Sequence, residues 1–233
     1  MKNQLVVGNW KATKTIKETI EWVNAVKKSL DKNKSVQIVI CPPFTSLQKL
    51  KSLFLELPYL KIGAQDVSKF KKGAYTGEVT VEMLEGLVDY AIVGHSERRK
   101  YFGEEDDDVI KKVENLLEFG VTPILCVSDI KQLDSYLERG KRIIEETEKI
   151  IFVYEPPSAI SGGGDYRPES PKVANENAKK IIQKIGKDVT LLYGGSINPE
   201  NISEFFSQEK INGGLVGQAS TNPTTFLKLI SNI

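Results

Sequence analysis

The chain has 233 residues, of which 40% are hydrophobic and 27% charged, and its 32 Lys and Arg nearly balance its 31 Asp and Glu. This is the composition of an ordinary globular protein, and a near-zero net charge without a basic cluster argues against a nucleic-acid-binding function. No apolar run approaches the ~20 residues of a membrane span, and the N-terminus lacks a signal-peptide core, so we expect a cytoplasmic protein without a membrane partner.

Eight short apolar runs recur along the chain at roughly the spacing of βα units. Most of them are apolar throughout, which is typical of parallel strands that are covered on both faces. The predicted strands are residues 5–9, 36–41, 61–65, 90–94, 122–127, 150–155, 189–193 and 214–217.

Between these runs, apolar residues recur with the period of a helix. Three predicted buried helix faces are Ile16, Ile20, Val23, Val26 and Leu30; Val109, Val113, Leu116 and Leu117; and Ala174, Ala178, Ile181, Ile182 and Ile185. An acidic run at residues 104–108 precedes the second of these helices. We expect its carboxylates to cap that helix, because negative charge is favourable at a helix N-terminus.

Eight strands that alternate with helices, without a Pro- or Ser-rich linker, predict a single (β/α)8 barrel domain over residues 1–233. The competing architecture is a doubly wound open sheet. Such a sheet usually carries a Gly-X-Gly-X-X-Gly turn after its first strand, whereas the first strand here runs into Asn9, Trp10 and Lys11.

Barrels of this kind build their active sites from the loops at the carboxyl ends of the strands. The polar or glycine residues at those ends are Asn9, Lys11, Gln65, Asp66, His95, Glu97, Glu155, Gly194, Gly195, Ser196, Gly217 and Gln218. Cys41 and Cys126 lie inside apolar runs, so we expect two buried free thiols and a reducing compartment.

Three of these side chains could carry chemistry. His95 is the only histidine, and imidazole is the side chain most often used to move protons near neutral pH, although many histidines only satisfy a local hydrogen bond. Glu155 ends a buried run, where a carboxylate is costly unless it is useful or paired, for example with a lysine. Lys11 could stabilise an oxyanion or simply be solvated.

Glycine-rich segments at the same end could bind a phosphate group. Residues 158–164 have the composition of a mobile lid, or of a plain surface loop. Gly194, Gly195 and Gly217 follow two adjacent strands, where this architecture frequently binds phosphate through backbone N–H groups. Paired glycines alone are commonly turns. Two glycine-led loops after adjacent strands are therefore stronger evidence for a phosphate site than either loop alone.

Taken together, these segments closely resemble the triosephosphate isomerase family, in order and over nearly the whole chain. The residues that carry the resemblance are Gly8-Asn9-Trp10-Lys11, Gly63-Ala64-Gln65-Asp66, Gly73-Ala74-Tyr75-Thr76-Gly77-Glu78, Gly94-His95-Ser96-Glu97-Arg98-Arg99, Leu125-Cys126-Val127, Tyr154-Glu155-Pro156, Tyr193-Gly194-Gly195-Ser196 and Leu215-Val216-Gly217. The resemblance implies a TIM barrel that interconverts dihydroxyacetone phosphate and D-glyceraldehyde 3-phosphate through an enediol. This reaction of glycolysis and gluconeogenesis needs no redox cofactor, and we expect no cofactor and no metal.

The same resemblance implies catalytic roles for five residues. Glu155 would be the base that removes a proton from the carbon next to the carbonyl. His95, as a neutral imidazole, would polarise that carbonyl and shuttle protons between the two enediol oxygens. Asn9 and Lys11 would line the pocket, with Lys11 countering negative charge, and Glu97 would orient the site from behind.

Substrate binding and assembly follow from the same likeness. The substrate phosphate would bind at Gly162 of the lid, Ser196, Gly217 and Gln218. Thr76 and Gln65 would lie at a homodimer interface, with Thr76 in a loop that inserts beside the partner's active site.

The chain departs from the family pattern in three places. Where the lid usually reads Pro-Val-Trp, Pro157 and Ser158 take the second and third positions; Ser161 replaces a glycine, and the lid is longer around residues 165–167. Gln218 stands in place of a second glycine. Residues 128–129 read Ser-Asp instead of Gly-Glu, before a helix that we expect to be short. We predict that the lid hinge moves differently, altering turnover more than the proton chemistry.

Three other functions fit the sequence less well. A metal-dependent epimerase would need several histidine ligands. A Schiff-base aldolase would need a lysine inside a barrel strand, whereas the sixth strand ends in Val153-Tyr154-Glu155. The remaining alternative is a phosphate-ligand-binding barrel that has lost activity through its altered lid, although every predicted catalytic residue is present.

Overall fold

The computed structural model describes residues 4–30, 36–159 and 168–233, without the side chain of Lys28. The strands within these ranges are β1 (Gln4–Asn9), β2 (Val36–Cys41), β3 (Leu60–Ala64), β4 (Tyr90–Val93), β5 (Thr122–Val127), β6 (Ile151–Tyr154), β7 (Leu191–Tyr193) and β8 (Gly213–Val216). The α-helices are α1 (Ile16–Leu30), α2 (Leu47–Phe54), α3 (Val81–Leu84), α4 (Ser96–Phe102), α5 (Asp106–Glu118), α6 (Ile130–Arg139), α7 (Lys141–Glu145), α8 (Pro171–Ile185), α9 (Ile202–Phe206), α10 (Gln218–Thr221) and α11 (Pro223–Ser231).

The eight strands pair in parallel and in chain order, and β8 pairs with β1 to close the barrel. In that seam Val6 lies opposite Gly214, and Gly8 lies opposite Val216. The predicted (β/α)8 barrel is therefore confirmed. Strands β2 and β5 begin and end where the sequence predicted, and the bounds of the other six differ by at most two residues.

The strands contribute to two cores, because successive side chains of a strand point to opposite faces of the sheet. The inner core fills the barrel and consists of Leu5, Val7, Val39, Cys41, Ile92, Ile124, Cys126, Ile151, Val153, Leu192 and Leu215. The outer core lies between strands and helices and includes the predicted face of α5. Both cysteines are buried and free, as predicted.

The predicted face of α1 is partly wrong. Val23, Val26 and Leu30 are buried, but Ile16 is 48% exposed and Ile20 is only half-buried. The helix is rotated so that Trp22 faces inward, where its Nε1 donates a hydrogen bond to the Ser220 carbonyl (3.1 Å) and its ring contacts two other aromatic rings. Burying the large indole of Trp22 with its N–H hydrogen-bonded stabilises the fold more than burying Ile16 in the first turn of the helix would.

The acidic run before α5 divides into two parts with different roles. Asp106, Asp107 and Asp108 lie in the first turn of α5, where the sequence predicted carboxylates. The N-cap residue, Glu105, makes no side-chain hydrogen bond to the helix, and Glu104 is buried, with its Oε1 accepting a hydrogen bond from the Gly94 N–H (3.2 Å). The capping interpretation is wrong for Glu104, which supports the end of β4 instead.

The helix after β5 is interrupted. The side chain of Asp129 caps α6 by accepting a hydrogen bond from the Gln132 N–H (2.9 Å), and α6 ends after ten residues. The chain then turns at Gly140 into the five-residue α7. A Cβ at position 140 would lie 2.7 Å from the Tyr136 carbonyl oxygen, so the turn requires glycine.

Candidate active site

The carboxyl ends of the strands surround a cavity of about 920 Å³. This volume lies near the upper end of the roughly 300–1,000 Å³ that is typical of small-molecule sites. The predicted site residues that line it are Asn9, Lys11, His95, Glu97, Glu155, Ser196, Gly217 and Gln218. Gln65 and Thr76 are not among its lining residues, and Gly162 lies outside the described part of the chain.

Glu155 follows β6 directly, and its side chain is only 2% exposed. Its Oε1 lies 3.1 Å from Nε2 of His95, and its Oε2 accepts a hydrogen bond of 2.9 Å from the Ser96 N–H. No lysine pairs with this carboxylate among the described residues, so the structural salt bridge considered for Glu155 is not formed there. Burial, and then the neighbouring Glu155 carboxylate, raise the pKa of the Cys126 thiol, which therefore stays protonated.

His95 is the residue that caps α4, and its hydrogen bonds determine its tautomer. Its Nδ1 accepts a hydrogen bond from the Glu97 N–H (3.2 Å) and therefore carries no proton. The proton of the neutral ring is then on Nε2, the atom that faces Glu155. This tautomer can donate a hydrogen bond to an oxygen atom in the cavity.

Lys11, which lines the same cavity as His95, is held in a strained conformation. Its φ of 51° lies in the left-handed region, which costs a non-glycine residue about 1–2 kcal/mol. The backbone is held there by two side chains, because Asn9 Oδ1 accepts from the Lys11 N–H (3.0 Å) and Gln65 Nε2 donates to the Lys11 carbonyl (2.9 Å). Its Nζ lies 2.5 Å from Oε1 of Glu97. Strain maintained by surrounding contacts is typical of functional sites.

The glycine-led loops line the same cavity, and a Cβ at Gly194 would lie 3.4 Å from Cγ of Glu155. Neither Gly194 nor Gly195 can carry a side chain, since a Cβ at 195 would lie 2.2 Å from the Tyr193 hydroxyl oxygen. The Ser196 N–H and hydroxyl both donate to the Ala159 carbonyl, at 3.1 and 2.8 Å. Gly217 precedes α10, and a Cβ there would lie 3.4 Å from Cε of Lys11. The Gly217 loop therefore lies against the Lys11 side chain.

The two residues predicted at a subunit interface have different environments. Gln65 is half-buried, and its Nε2 donates to the Lys11 and Cys41 carbonyls, both at 2.9 Å. Thr76 is exposed in the loop after β3, next to Tyr75, whose ring stacks on that of Phe70 with centroids 4.0 Å apart.

Comparison with known proteins identifies the family. The model of a family described as triosephosphate isomerase matches residues 4–233. The chain belongs to the triosephosphate isomerase family. Curated relatives named triosephosphate isomerase include one from Aquifex aeolicus (strain VF5), 40% identical with 97% of this chain and 98% of the relative covered. Those from Gloeothece citriformis (strain PCC 7424) and Dictyoglomus turgidum (strain DSM 6724 / Z-1310) are 39% and 37% identical, with 99% of each chain covered.

A largely buried ionic cluster is connected to the end of β4 through the Glu104–Gly94 hydrogen bond, and it is formed by Asp66, Arg98, Glu104 and Lys112. Lys112 Nζ lies 2.7 Å from Asp66 and 2.5 Å from Glu104, and Arg98 Nε lies 2.9 and 2.7 Å from the same two carboxylates. Burial raises the pKa of Asp66 despite the two cations. Burial acts in the same direction on Glu104, but Lys112 and Arg98 outweigh it and hold the pKa of Glu104 below its ordinary value.

Sequence reasoning missed this cluster, although one signal was available. Lys112 lies three residues after Val109 and four before Leu116, on the apolar stripe of α5. A lysine on a buried stripe requires a buried anion. The sequence could not tell which of the nearby carboxylates would supply it.

The described residues contain no group of three His, Cys, Asp or Glu side chains arranged to hold a metal ion. No helix in the described ranges combines the length and the apolar character that crossing a membrane requires.

Proposed function

We propose that the chain interconverts dihydroxyacetone phosphate and D-glyceraldehyde 3-phosphate in this cavity, without a cofactor. The observation that carries the proposal is the contact between a buried Glu155 carboxylate and His95 Nε2, at 3.1 Å. A general base must lie within hydrogen-bonding reach of the proton that it removes. The group that polarises the substrate must at the same time reach the neighbouring carbonyl oxygen. Substrate binding must open the contact between the two side chains, so that the Glu155 carboxylate faces the substrate carbon and His95 Nε2–H faces the carbonyl oxygen.

Each step moves one proton within the substrate. Glu155 removes a proton from the carbon next to the carbonyl, and the electron pair of that C–H bond forms the enediolate. His95 stabilises the developing oxyanion through Nε2–H and transfers protons between the two oxygens. Glu155 then returns its proton to the neighbouring carbon, so that no redox change occurs. Lys11 supplies a fixed positive charge close to the oxyanion.

Asn9 and Glu97 are proposed to support this geometry rather than to move protons. Asn9 accepts the Lys11 N–H, and Glu97 approaches the Lys11 ammonium while its own N–H determines the tautomer of His95. Asn9 therefore helps to orient Lys11, and Glu97 helps to orient both Lys11 and His95.

The phosphate is proposed to bind at backbone N–H groups of Ser196, Gly217 and Gln218, together with Gly162. In the structure the Ser196 donors are occupied by the Ala159 carbonyl. Phosphate binding at Ser196 therefore requires Ala159, at the beginning of the lid, to move. Closure of the lid would also exclude water, which protects the enediol phosphate from losing its phosphate group.

A coupled assay of glyceraldehyde 3-phosphate isomerisation tests the proposal on wild type and Glu155→Asp. Aspartate withdraws the carboxylate by one methylene, and a displacement of ~1 Å can lower the rate about 100-fold. Glu204→Asp is the matched control, because the same change is made on an exposed residue of α9 and should leave the rate unchanged.

The same experiment separates the two functions. If wild type binds phosphoglycolate but gives no turnover above buffer, the chain is a phosphate-ligand-binding barrel and the isomerase proposal fails. The family membership and the intact Glu155–His95 contact favour the isomerase.

We also propose a single-domain chain that forms a homodimer through the loop around Thr76 and through Gln65, and that acts in the cytoplasm without nucleic-acid or membrane partners. Large apolar side chains support the dimer: Phe44, Tyr75, Met83, Tyr101 and Phe102 are all exposed. They follow β2, β3 and β4, three adjacent strands, and therefore share one side of the barrel rim. Exposed apolar surface of this kind is typical of protein interfaces.

A further inference from the structure

Tyr136 is a fully buried tyrosine on α6 that the mechanism above does not use. A phenylalanine would fill nearly the same space at lower cost, because a buried hydroxyl must be hydrogen-bonded. The position of this hydroxyl therefore indicates what the residue contributes beyond packing.

The Tyr136 hydroxyl lies where the ends of β4 and β5 meet. It donates a hydrogen bond to the Cys126 carbonyl (3.4 Å) and accepts one from Nη2 of Arg99. A Cβ built on Gly94 would lie 3.1 Å from it, so the hydroxyl packs directly on the Gly94 backbone. Gly94 directly precedes His95 in the chain. The Tyr136 hydroxyl thus lies behind the backbone that leads into His95.

Arg99 extends this contact to the peptide group of His95. Its Nε donates to the Gly94 carbonyl (3.4 Å), and its Nη1 lies 2.8 Å from Asp106. The guanidinium carbon lies 5.8 Å from the centroid of the Tyr136 ring. The Gly94 carbonyl belongs to the peptide bond that carries the His95 nitrogen, so the direction of this bond determines where the imidazole points.

We propose that Tyr136 is a positioning residue for the isomerase reaction: its hydroxyl, with Arg99, fixes the Gly94–His95 peptide and so the direction of the His95 imidazole. The proposal rests on the catalytic role of His95 given above. It assigns a function to α6, which follows one of the segments that depart from the family pattern. Catalytic side chains depend on such supporting contacts, since small errors in their direction are costly.

Tyr136→Phe tests the proposal, because it removes the hydroxyl and keeps the ring. We expect kcat to fall about tenfold while KM changes less than twofold, since the lost contact affects the direction of a catalytic group and not substrate affinity. His95 is the only histidine, so its imidazole ¹⁵N and ¹H NMR signals are unambiguous. We expect these signals to shift in the variant.

Thr147→Val is the matched control. It also removes one buried hydroxyl, which donates to the Ile143 and Ile144 carbonyls (both 2.8 Å) just before β6, at the opposite end of the barrel. It should lower stability without changing kcat or the His95 signals. A structural role for Tyr136 would give the same pattern in Tyr136→Phe.

The proposal is overturned if Tyr136→Phe keeps kcat within twofold of wild type, if KM changes as much as kcat, or if the His95 signals do not move. If Tyr136→Phe fails to fold, Arg99→Lys decides the question by the same criteria, because lysine keeps the charge near Asp106 but cannot reach Gly94 and Tyr136 together. The NMR readout needs no turnover, so an inactive wild type would refute the proposed function without affecting this measurement.

Discussion

Glu104 is a buried carboxylate whose contribution to stability depends on pH. Its pKa is lower in the folded chain than its ordinary value of 4.5, so its stabilising effect is complete above that value and is lost as the pH falls through the lowered pKa. Asp66 acts in the opposite direction, because its raised pKa makes its protonation favour the folded state. The two effects partly cancel, and Glu104 can be isolated only by substitution.

We expect Glu104→Gln to lower the free energy of unfolding by about 3 kcal/mol at pH 7, because Lys112 and Arg98 lose a buried counter-charge. Urea unfolding at pH 7 and in the acid range, below the lowered pKa, should show this difference shrinking with acidification. Glu118→Gln is the control, since Glu118 forms an exposed pair with Lys71 that is worth less than about 1 kcal/mol. A difference independent of pH would contradict the electrostatic account.

At this scale the sequence predicted the residues that line the cavity, including Asn9 and Glu97, but not the residues outside the cavity that support them. Asn9, His95 and Glu155 follow from one rule, that polar residues at the carboxyl ends of barrel strands face a shared site. Tyr136 and Glu104 obey no such rule. Their partners lie on other elements, and only the packing of α5 and α6 against the barrel brings them together.

Among the elements, the β1–β8 seam depends on one glycine. A Cβ at Gly213 would lie 1.9 Å from the Leu5 carbonyl oxygen, well inside any permitted contact. We expect Gly213→Ala to lower the free energy of unfolding by about 3 kcal/mol or more, or to prevent folding, because β1 and β8 would have to move apart at this point. Thermal unfolding by circular dichroism measures the loss.

Gly186→Ala is the matched control for the seam. Gly186 has a φ of 74° and nothing within 4 Å of a Cβ, so alanine there adds only backbone strain of about 1–2 kcal/mol. If the two variants lose equal stability, the steric overlap at Gly213 is relieved by small shifts, and the prediction for the seam is wrong.

The elements themselves were largely predictable, because an apolar run that is covered on both faces has few alternatives to a buried parallel strand. The rotation of a helix about its axis was harder to predict from the sequence. The period of α1 identified a helix but not its rotation, since Trp22 and Ile16 compete for the same core and only the packing against Trp10 and Phe226 decides between them.

At the scale of the whole molecule, the exposed apolar side chains that follow β2, β3 and β4 form an apolar rim, which is the contact surface of the proposed homodimer. Tyr101 and Phe102 are 61% and 71% exposed and are neighbours at the end of α4, and exposed apolar side chains that cluster in this way are typical of protein interfaces. In the proposed homodimer a second copy of the chain would bury this rim, and the family resemblance implies that Thr76 would then lie beside the partner's active site. A stable interface of this kind should bury at least about 1,000 Å².

We therefore expect light scattering after size exclusion to give about twice the chain mass of 26.0 kDa, and Thr76→Arg to return the protein to the mass of one chain. The bulky charge would be desolvated at the interface centre, and loss of the neighbouring loop should lower kcat per chain about 100-fold through misplaced side chains. Val173→Arg on α8 is the control, because it puts the same charge at another exposed apolar position, outside the loops after β2–β4, and should leave both mass and kcat unchanged. A wild type that elutes as a single chain with full activity would show that the site is complete in one subunit.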